Sequence, residues 1–334
     1  MTWKGTLRSM QASARRAERN SKRRQRELQA QEKEYAKMEA REQAAYEVEV
    51  YENHVELLLS VHKECGEDID WKEFAQRSAP LKPAALNSLE NQARNTESNY
   101  KPGFIARSLK LENRKRRKLA EAVQAAVIKD KQLLDQELRE WESQYKDWKE
   151  EHELATGILN GDSQSKIDAI KRVDPFVDIS HLGTAIAISI GDTGILECTL
   201  SVHGDKVIPQ EIKSLLQSGK LSVKKMPSSK FNELLQDYVS SCVLRVGREL
   251  LSILPDSLVI VTAVDTLLNS ATGHLEEQPI LSVAISRETL LRLNMHSIDP
   301  SDSLKNFVHT MNFKKTTGFM PVSKVSSRDF ADLA

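Results

Sequence analysis

The amino-acid sequence predicts an α+β protein in which a long antiparallel helical hairpin, a coiled coil, is followed by a small α+β domain. Three observations support this prediction. Residues 6–62 and residues 104–159 each lack proline and are rich in Ala, Glu, Gln, Lys and Arg, which favour helices. Runs of β-branched residues begin only at about Gly183. We expect the C-terminal domain to contain a roughly four-stranded sheet and one long buried helix.

The composition limits the classes of function. With 334 residues, of which 40 % are hydrophobic and 29 % charged, the chain has room for two or three domains and can bury a core. The formal charge is zero, from 48 basic and 48 acidic residues, so an electrostatic function requires segregated charge. Cys65, Cys198 and Cys242 are too widely spaced for a disulfide framework or a zinc site. Because no run of about eighteen apolar residues occurs either, we expect a cytoplasmic protein without membrane contact.

The first helix is expected over residues 6–62. Its apolar stripe is thin at first and thickens towards the C-terminal end, at Val48, Tyr51, Val55, Leu58 and Leu59. Gly66 is suited to end this helix, and Asp70 is suited to cap a short helix after it. A connector punctuated by prolines, about residues 63–103, leads to the second long helix.

The second helix is expected over residues 104–159, with apolar residues spaced mostly by three and four. Its stripe contains Trp141, Tyr145 and Trp148. Aromatic side chains at this spacing either stack on nucleic-acid bases or pack against a partner helix, and packing is the commoner role.

Charge predicts how the two helices align. The first contains a basic run, net charge +6 over residues 15–26, made of Arg15, Arg16, Arg19, Lys22, Arg23, Arg24 and Arg26. With His62 set opposite Phe104, this run falls opposite residues 137–153, net charge −4. Opposite charges at matching positions favour an antiparallel register, in which Arg19 lies near Asp147.

A second basic run tests the same alignment. Residues 107–118 carry a net charge of +6 and end in Arg114, Lys115, Arg116, Arg117 and Lys118. In the same register they fall opposite residues 42–56, net charge −5. The same complementarity would also pair helices of two chains, which leaves a homodimer through the helices open.

We expect three regions: the hairpin over 1–160, the α+β domain over 161–325 and a flexible tail over 326–334. The domain is expected to begin with a helix over Ser163–Val173. Its expected strands are residues 184–190, 195–202, 258–264 and 280–285, the first two forming a hairpin around "GDTG". Its other expected helices are residues 209–219, 228–254, 288–293 and 302–310. In the long one, Cys242 falls on the buried face and Gly247 permits close approach to the sheet.

Six segments together support a resemblance: "LATGILNGD", "VDPFVDISHLG", "VIPQEIKSLLQSGKLSVKKM", "LQDYVSSCVLRVGRELLSILP", "ATGHLEEQPILSVAISRE" and "IDPSDSLKNFVHTMNFKKTTGFMPV". From about Lys101 onward the chain resembles an uncharacterised bacterial family in which a helical hairpin precedes a small α+β domain. Similar domains accompany restriction-endonuclease-like or other antiviral defence proteins. The resemblance implies an architecture and a bacterial cytoplasmic setting, and it implies no catalytic residues.

One set of residues is compatible with metal chemistry. A restriction-type nuclease holds Mg²⁺ with an acidic residue on one strand and an Asp/Glu-x-Lys motif on the next. The nearest match is Asp192 with Glu211 and Lys213, although Glu211 is expected in a helix. The eight histidines show no metal-ligand spacing, and the common nucleotide-binding and hydrolase motifs are absent. We expect no cofactor.

The sequence therefore predicts a non-enzymatic interaction or scaffold protein, in which the hairpin presents or oligomerises an α+β domain that binds a protein partner. The first alternative is a nucleic-acid-associated component that uses the basic residues of 15–26 and 114–118 as phosphate contacts. The second is a metal-dependent nuclease built on Asp192, Glu211 and Lys213.

Overall fold

The computed structural model describes residues 40–101, 112–177, 185–191 and 193–333. The chain divides into two compact units. Residues 73–153 form one, which we call the helical unit. The described residues before and after it form the other, which we call the α+β unit.

The N-terminal half of the described chain is helical. Its helices are α1 (Ala40–Ser60), continued by a 3₁₀ turn (Val61–Lys63), α2 (Trp71–Gln76), α3 (Ser88–Ser98), α4 (Glu112–Leu159) and α5 (Ser163–Val173). The two predicted long helices are confirmed where they are described, and α5 has the predicted bounds. Residues 6–39 and 104–111 of the predicted helices lie outside the described residues.

The C-terminal half contains most of the β structure. Its elements are β1 (Ala185–Ile190), β2 (Leu196–Ser201), α6 (Gly204–Val207), β3 (Glu211–Leu215), β4 (Leu221–Lys225), α7 (Ser228–Ile253), β5 (Leu258–Leu268), β6 (Leu275–Ser286), α8 (Arg287–Arg292), α9 (Pro300–Ser303), a 3₁₀ turn (Leu304–Asn306), β7 (Val308–Lys314), β8 (Gly318–Met320) and a final 3₁₀ segment (Ser327–Leu333).

The main sheet is mixed. Its six strands have the order β1-β2-β5-β6-β7-β8, and β2 pairs with β5 in parallel while the other neighbours are antiparallel. The hairpin predicted around "GDTG" is confirmed by the pairing of β1 with β2. Gly194 in that turn has a φ of +76°, a conformation that glycine adopts without a steric cost.

The core lies between one face of this sheet and α7. Inward residues of β2 and β5 such as Cys198 and Val261 are buried, as are Cys242 and Val246 on α7. Gly247 brings the helix close to the sheet, because a Cβ at that position would overlap Ile285 Cδ1 and lie 3.2 Å from Ile285 Cγ2. The predictions for α7, Cys242 and Gly247 are therefore confirmed.

Three expectations for the α+β domain are wrong. Residues 209–219 do not form a helix, because β3 and β4 pair in an antiparallel two-stranded ribbon whose turn contains Gly219. The sheet has six strands rather than about four, since β7 and β8 add to its edge. The predicted helix over 302–310 ends at Asn306 and gives way to β7.

The apolar stripe of α1 packs within the α+β unit, against α7 and the β3–β4 ribbon. The Lys213 ammonium on β3 forms an ion pair with the Glu47 carboxylate on α1, with Nζ and Oε2 2.8 Å apart. The structure does not confirm the predicted antiparallel hairpin, and Arg19, which was expected near Asp147, lies outside the described residues. Gly66 does not cap a helix, since its N–H donates to the Glu249 carboxylate. Asp70 accepts from the Lys72 N–H, as a capping residue does.

Candidate functional site

An aromatic ladder organises the helical unit. Trp141, Tyr145, Trp148 and His152 follow one another along one face of α4, with ring centroids 5.1, 5.5 and 5.1 Å apart. The Trp141 indole N–H donates to the Pro80 carbonyl at 2.9 Å, and the Trp148 indole N–H donates to a second carbonyl of the connector. These rings therefore hold the extended connector, where the sequence predicted a helix as their partner.

Arg77 is the connector residue that Trp148 binds, and its side chain has three further neighbours. Its guanidinium lies 2.7 Å from Glu73 and 4.0 Å from Glu151, and it lies over the Phe74 ring, 4.1 Å from the centroid. Because the backbone carbonyl and the side chain are both engaged, Arg77 ties the connector to α4 at this point.

The start of α3 is held by a carboxylate from α4. Asp130 accepts from the N–H groups of Leu89 and Glu90, at 3.3 and 2.8 Å. The preceding residue, Asn87, has a φ of +47° and contributes no side-chain cap. Sequence reasoning missed both α3 and this cap, because a cap supplied from a distant helix leaves no local signal.

Two open apolar grooves run along α4. The first, about 380 Å³, lies between α3 and α4 and is lined by Leu89, Gln92, Ala93, Thr96, Leu119, Ala122, Ala125, Ala126 and Lys129. The second, about 270 Å³, is lined by residues 84–88, Glu90, Val127, Asp130, Lys131, Leu133, Leu134 and Glu137. Leu86 and Leu133 line the second groove and remain 80 % and 45 % exposed, and Leu81 (93 %) and Ile128 (59 %) are exposed elsewhere on the helical unit. Exposed apolar surface of this kind marks a contact surface.

Charge is segregated along α4, whose 48 residues span about 72 Å. Residues 112–131 hold seven basic and three acidic side chains, net charge +4. Residues 132–153 hold eight acidic and three basic side chains, net charge −5. The helix therefore has one basic and one acidic half, although the whole chain is neutral.

The basic half begins with the five consecutive basic residues that the sequence singled out. Arg114, Lys115, Arg116, Arg117 and Lys118 are all exposed. Arg116 pairs with Glu112 at 3.0 Å and Arg117 with Glu121 at 3.1 Å, both on the surface. The other basic candidates, Arg15, Arg16, Arg19, Lys22, Arg23, Arg24 and Arg26, lie outside the described residues.

The residues proposed for a metal site are only partly described. Glu211 and Lys213 lie on β3, a strand where a helix was expected, and the Lys213 ammonium pairs with Glu47 at 2.8 Å. Asp192 lies outside the described residues. Within the described ranges, no group of three or more His, Cys, Asp or Glu side chains is placed to hold a metal ion. The nuclease hypothesis stays a prediction.

The α+β unit contains a cavity of about 600 Å³. It is open and lies between α1, β3 and the start of α7, lined by Tyr51, Glu52, Val55, Glu56, Leu59, Ser60, Lys63, Ile212, Lys213, Ser214 and Lys230. Burial, with the charge on Glu52 adding to it, raises the pKa of Tyr51. The lining carries both charge signs and provides no activated nucleophile or paired acid and base, so the cavity does not indicate a reaction.

A buried polar network ties residues 62–66 to α7. The Arg245 guanidinium and Glu249 carboxylate lie 2.6 Å apart, and Glu249 also accepts from Gly66. Next to them, Ser241 Oγ lies 2.8 Å from His62 Nδ1 and accepts from the His62 backbone N–H. These contacts hold the segment that follows α1 against α7 rather than assembling a reactive site.

The cysteines are not placed for nucleophilic chemistry. Burial raises the pKa of Cys198 and of Cys242 to about 12. Cys65 is partly buried, and burial raises its pKa as well. A thiol is reactive as the thiolate, which raised pKa values disfavour.

No protein family, curated protein or solved structure matches the chain. Among the described residues, no helix combines the length and the apolar character needed to cross a membrane.

Proposed function

We propose that this chain is a non-enzymatic interaction protein whose helical unit is a docking surface for a helix of a protein partner. The observation that supports this best is the pair of open grooves along α4, together with the exposed side chains of Leu86 and Leu133 in the second groove. Grooves lined by Leu and Ala are suited to the apolar face of an amphipathic helix. The segregated charge of α4 would orient such a partner.

The α+β unit is the body that carries this surface. Its elements pack α1, the β3–β4 ribbon and the sheet around α7. In this proposal the helical unit binds the partner, and the α+β unit is thereby presented to the partner or brought together with a second α+β unit. The setting that we propose is the bacterial cytoplasm and an antiviral defence system, following the resemblance described above.

We also propose that the first long helix pairs with α4 as an antiparallel hairpin. The net charge of +6 over residues 15–26 complements the acidic half of α4. Residues 15–26 would compete with basic segments of other proteins for the acidic half of α4. Formation of the hairpin would therefore regulate access to the acidic half.

Site-specific photocrosslinking in the native host cell tests the docking surface. A photoreactive phenylalanine analogue in place of Leu133 lies in the groove, whereas the same analogue in place of the adjacent, exposed Gln132 lies on another face of α4. We expect a discrete protein adduct from position 133 and none from position 132. Equal labelling at the two positions, or no adduct at either, would contradict the proposal.

A second candidate function is nucleic-acid binding through residues 114–118. The five exposed basic side chains favour it, because the ion pairs described for two of them, Arg116 with Glu112 and Arg117 with Glu121, lie at the surface, where phosphate would readily replace the carboxylate. Duplex DNA and single-stranded RNA carrying a fluorescent label would be titrated at about 50 and 200 mM salt, and binding should weaken steeply with salt.

Two double variants with the same change in net charge test whether nucleic acid binds at residues 114–118 or is attracted only by the charge of the whole chain. Arg114→Glu with Lys118→Glu should abolish binding. Lys146→Glu with Lys149→Glu, in the acidic half of α4, should leave most of it. Equal losses would show that only net charge matters, and no binding by the parent chain at low salt would end this hypothesis.

A further inference from the structure

One strip of α4 is complementary to itself. Lys115, Leu119, Ala122, Ala126, Lys129, Leu133 and Glu137 are spaced by four and three residues, so they share one face of the helix. All seven are at least partly exposed. Between Leu119 and Glu137 the strip follows the floors of the two grooves. We call these seven residues the α4 strip.

We propose that the α4 strip binds the same strip of a second copy of this chain, antiparallel and with a two-fold axis at Ala126. This inference rests on the proposed docking function and names the partner. Turning the strip end for end about Ala126 places Leu119 opposite Leu133 and Lys115 opposite Glu137. Each contact occurs twice in the dimer, as in any isologous interface.

The small residues of the strip allow the two helices to approach closely. Ala122 and Ala126 present only methyl groups, and the distance between packed helices falls towards about 8 Å when the side chains between them are small. Leu89 and Ala93 of α3 form the second wall of the groove, so the incoming helix meets apolar surface on two sides.

Charge selects a second copy rather than an arbitrary helix. In the antiparallel arrangement about Ala126, residues 112–120 of one α4, net charge +4, lie opposite residues 132–140 of the other, net charge −2. A parallel arrangement would place like charges together. Glu140 falls opposite Glu112, whose charge is balanced by Arg116 at 3.0 Å. The strip covers about three heptads, enough to specify a coiled-coil pair.

Charge reversal gives the first test. Sedimentation equilibrium of the full chain should show a concentration-dependent dimer. Either Lys115→Glu or Glu137→Lys alone should raise the dimer dissociation constant about 10-fold, since two unlike-charge pairs become like-charge pairs. An equimolar mixture of the two variants should dimerise like the parent chain, because each reversed residue then faces its opposite. A monomeric parent, or a mixture no tighter than its components, would overturn the proposal.

A cysteine at the axis gives the second test. In a Cys65→Ser background, Ala126→Cys should form a disulfide-linked dimer under mild oxidation, because the position meets its own copy within the Cα separation that a disulfide needs. Gln124→Cys, exposed on another face of α4, is the matched control and should stay monomeric on a non-reducing gel. Equal linkage of the two variants would contradict the two-fold axis at Ala126.

These results separate the self-pairing from the docking function. A chain that stays monomeric but gives an adduct of another protein from position 133 in the cell would refute the self-pairing and keep the docking surface. A chain that stays monomeric and gives no adduct would refute both. An adduct between two copies from position 133, with the charge-swap rescue, supports both.

Discussion

At the scale of single residues, two ion pairs with the same sequence spacing differ in burial: one is buried in the α+β unit and the other is exposed on α4. Arg245 and Glu249 are four residues apart on α7, and Lys149 and Glu153 are four apart on α4. The Glu249 side chain is 5 % exposed and the Glu153 side chain is 66 % exposed. A sequence cannot distinguish these cases, because what buries Glu249 is a loop more than 180 residues away along the chain.

Glu249→Ala should lower the free energy of unfolding of the full chain by about 3–5 kcal/mol. The change leaves the buried Arg245 guanidinium with only the exposed Glu64 carboxylate, 3.9 Å away, as a described counter-charge, and the Gly66 N–H loses its acceptor. Glu153→Ala, the matched surface change, should alter the free energy by no more than about 0.5 kcal/mol. Urea denaturation followed by circular dichroism measures both, and similar values would mean that burial does not decide the contribution of the pair.

His62 makes the stability depend on pH. Burial, and after it the charge on Lys63, lowers the pKa of His62 below its ordinary value. The folded chain therefore keeps the ring neutral at a pH where the unfolded chain, with a pKa of about 6.5, takes up a proton. The free energy of unfolding should fall as the pH drops below about 6.5, and the fall should stop below the pKa of the folded state.

A His62→Gln variant should lose this part of the pH dependence. The measurement is the difference in the free energy of unfolding between about pH 7.5 and pH 5.5, which should be smaller for the variant than for the parent chain. His296→Gln changes an exposed histidine and should keep the difference of the parent. The inference fails if the two variants have the same pH dependence.

At the scale of elements, prediction succeeded where a local pattern and its tertiary environment agree. The apolar face of α7 repeats at helical spacing, and Gly247 interrupts it where the sheet approaches. It failed for β3, where Ile212, Leu215 and Leu216 have the spacing of an amphipathic helix. Pairing with β4 and packing on α1 override this pattern, and neither is visible in the local sequence.

The contact between α7 and β6 can be tested through Gly247. In Gly247→Ala, the overlap of the new methyl group with Ile285 should lower the free energy of unfolding by about 1–3 kcal/mol. The higher helix propensity of alanine should offset roughly 1 kcal/mol of this loss. Ile285→Val alone should cost about 0.5–1.5 kcal/mol. Since valine lacks the Cδ1 that the new methyl would overlap, the double variant should be more stable than the sum of the two changes indicates. Strict additivity in urea denaturation would contradict the close contact.

At the scale of the whole molecule, the two units differ in how much apolar surface they bury. α7 and β5 contain many fully buried side chains, from Tyr238 to Leu250 and from Val259 to Ala263. Among the described residues of the helical unit, the buried apolar side chains are Phe74 and Val123. The sequence predicted helices in both parts, but it could not predict this difference, because an apolar stripe does not reveal what covers it.

The difference predicts that the helical unit opens locally without unfolding of the α+β unit. Backbone amides of residues 112–140 should exchange with solvent at least about 100-fold faster than those of residues 238–250, because local opening exposes little apolar surface there. Hydrogen exchange followed by mass spectrometry measures this on the full chain, kept dilute so that any dimer dissociates, with rates corrected for each peptide in denaturant. A second sample of the Lys115→Glu variant, whose dimer is weakened, excludes protection of the amides by self-association. Equal protection of the two peptides in both samples would contradict the prediction and would mean that the helical unit unfolds only with the rest of the chain.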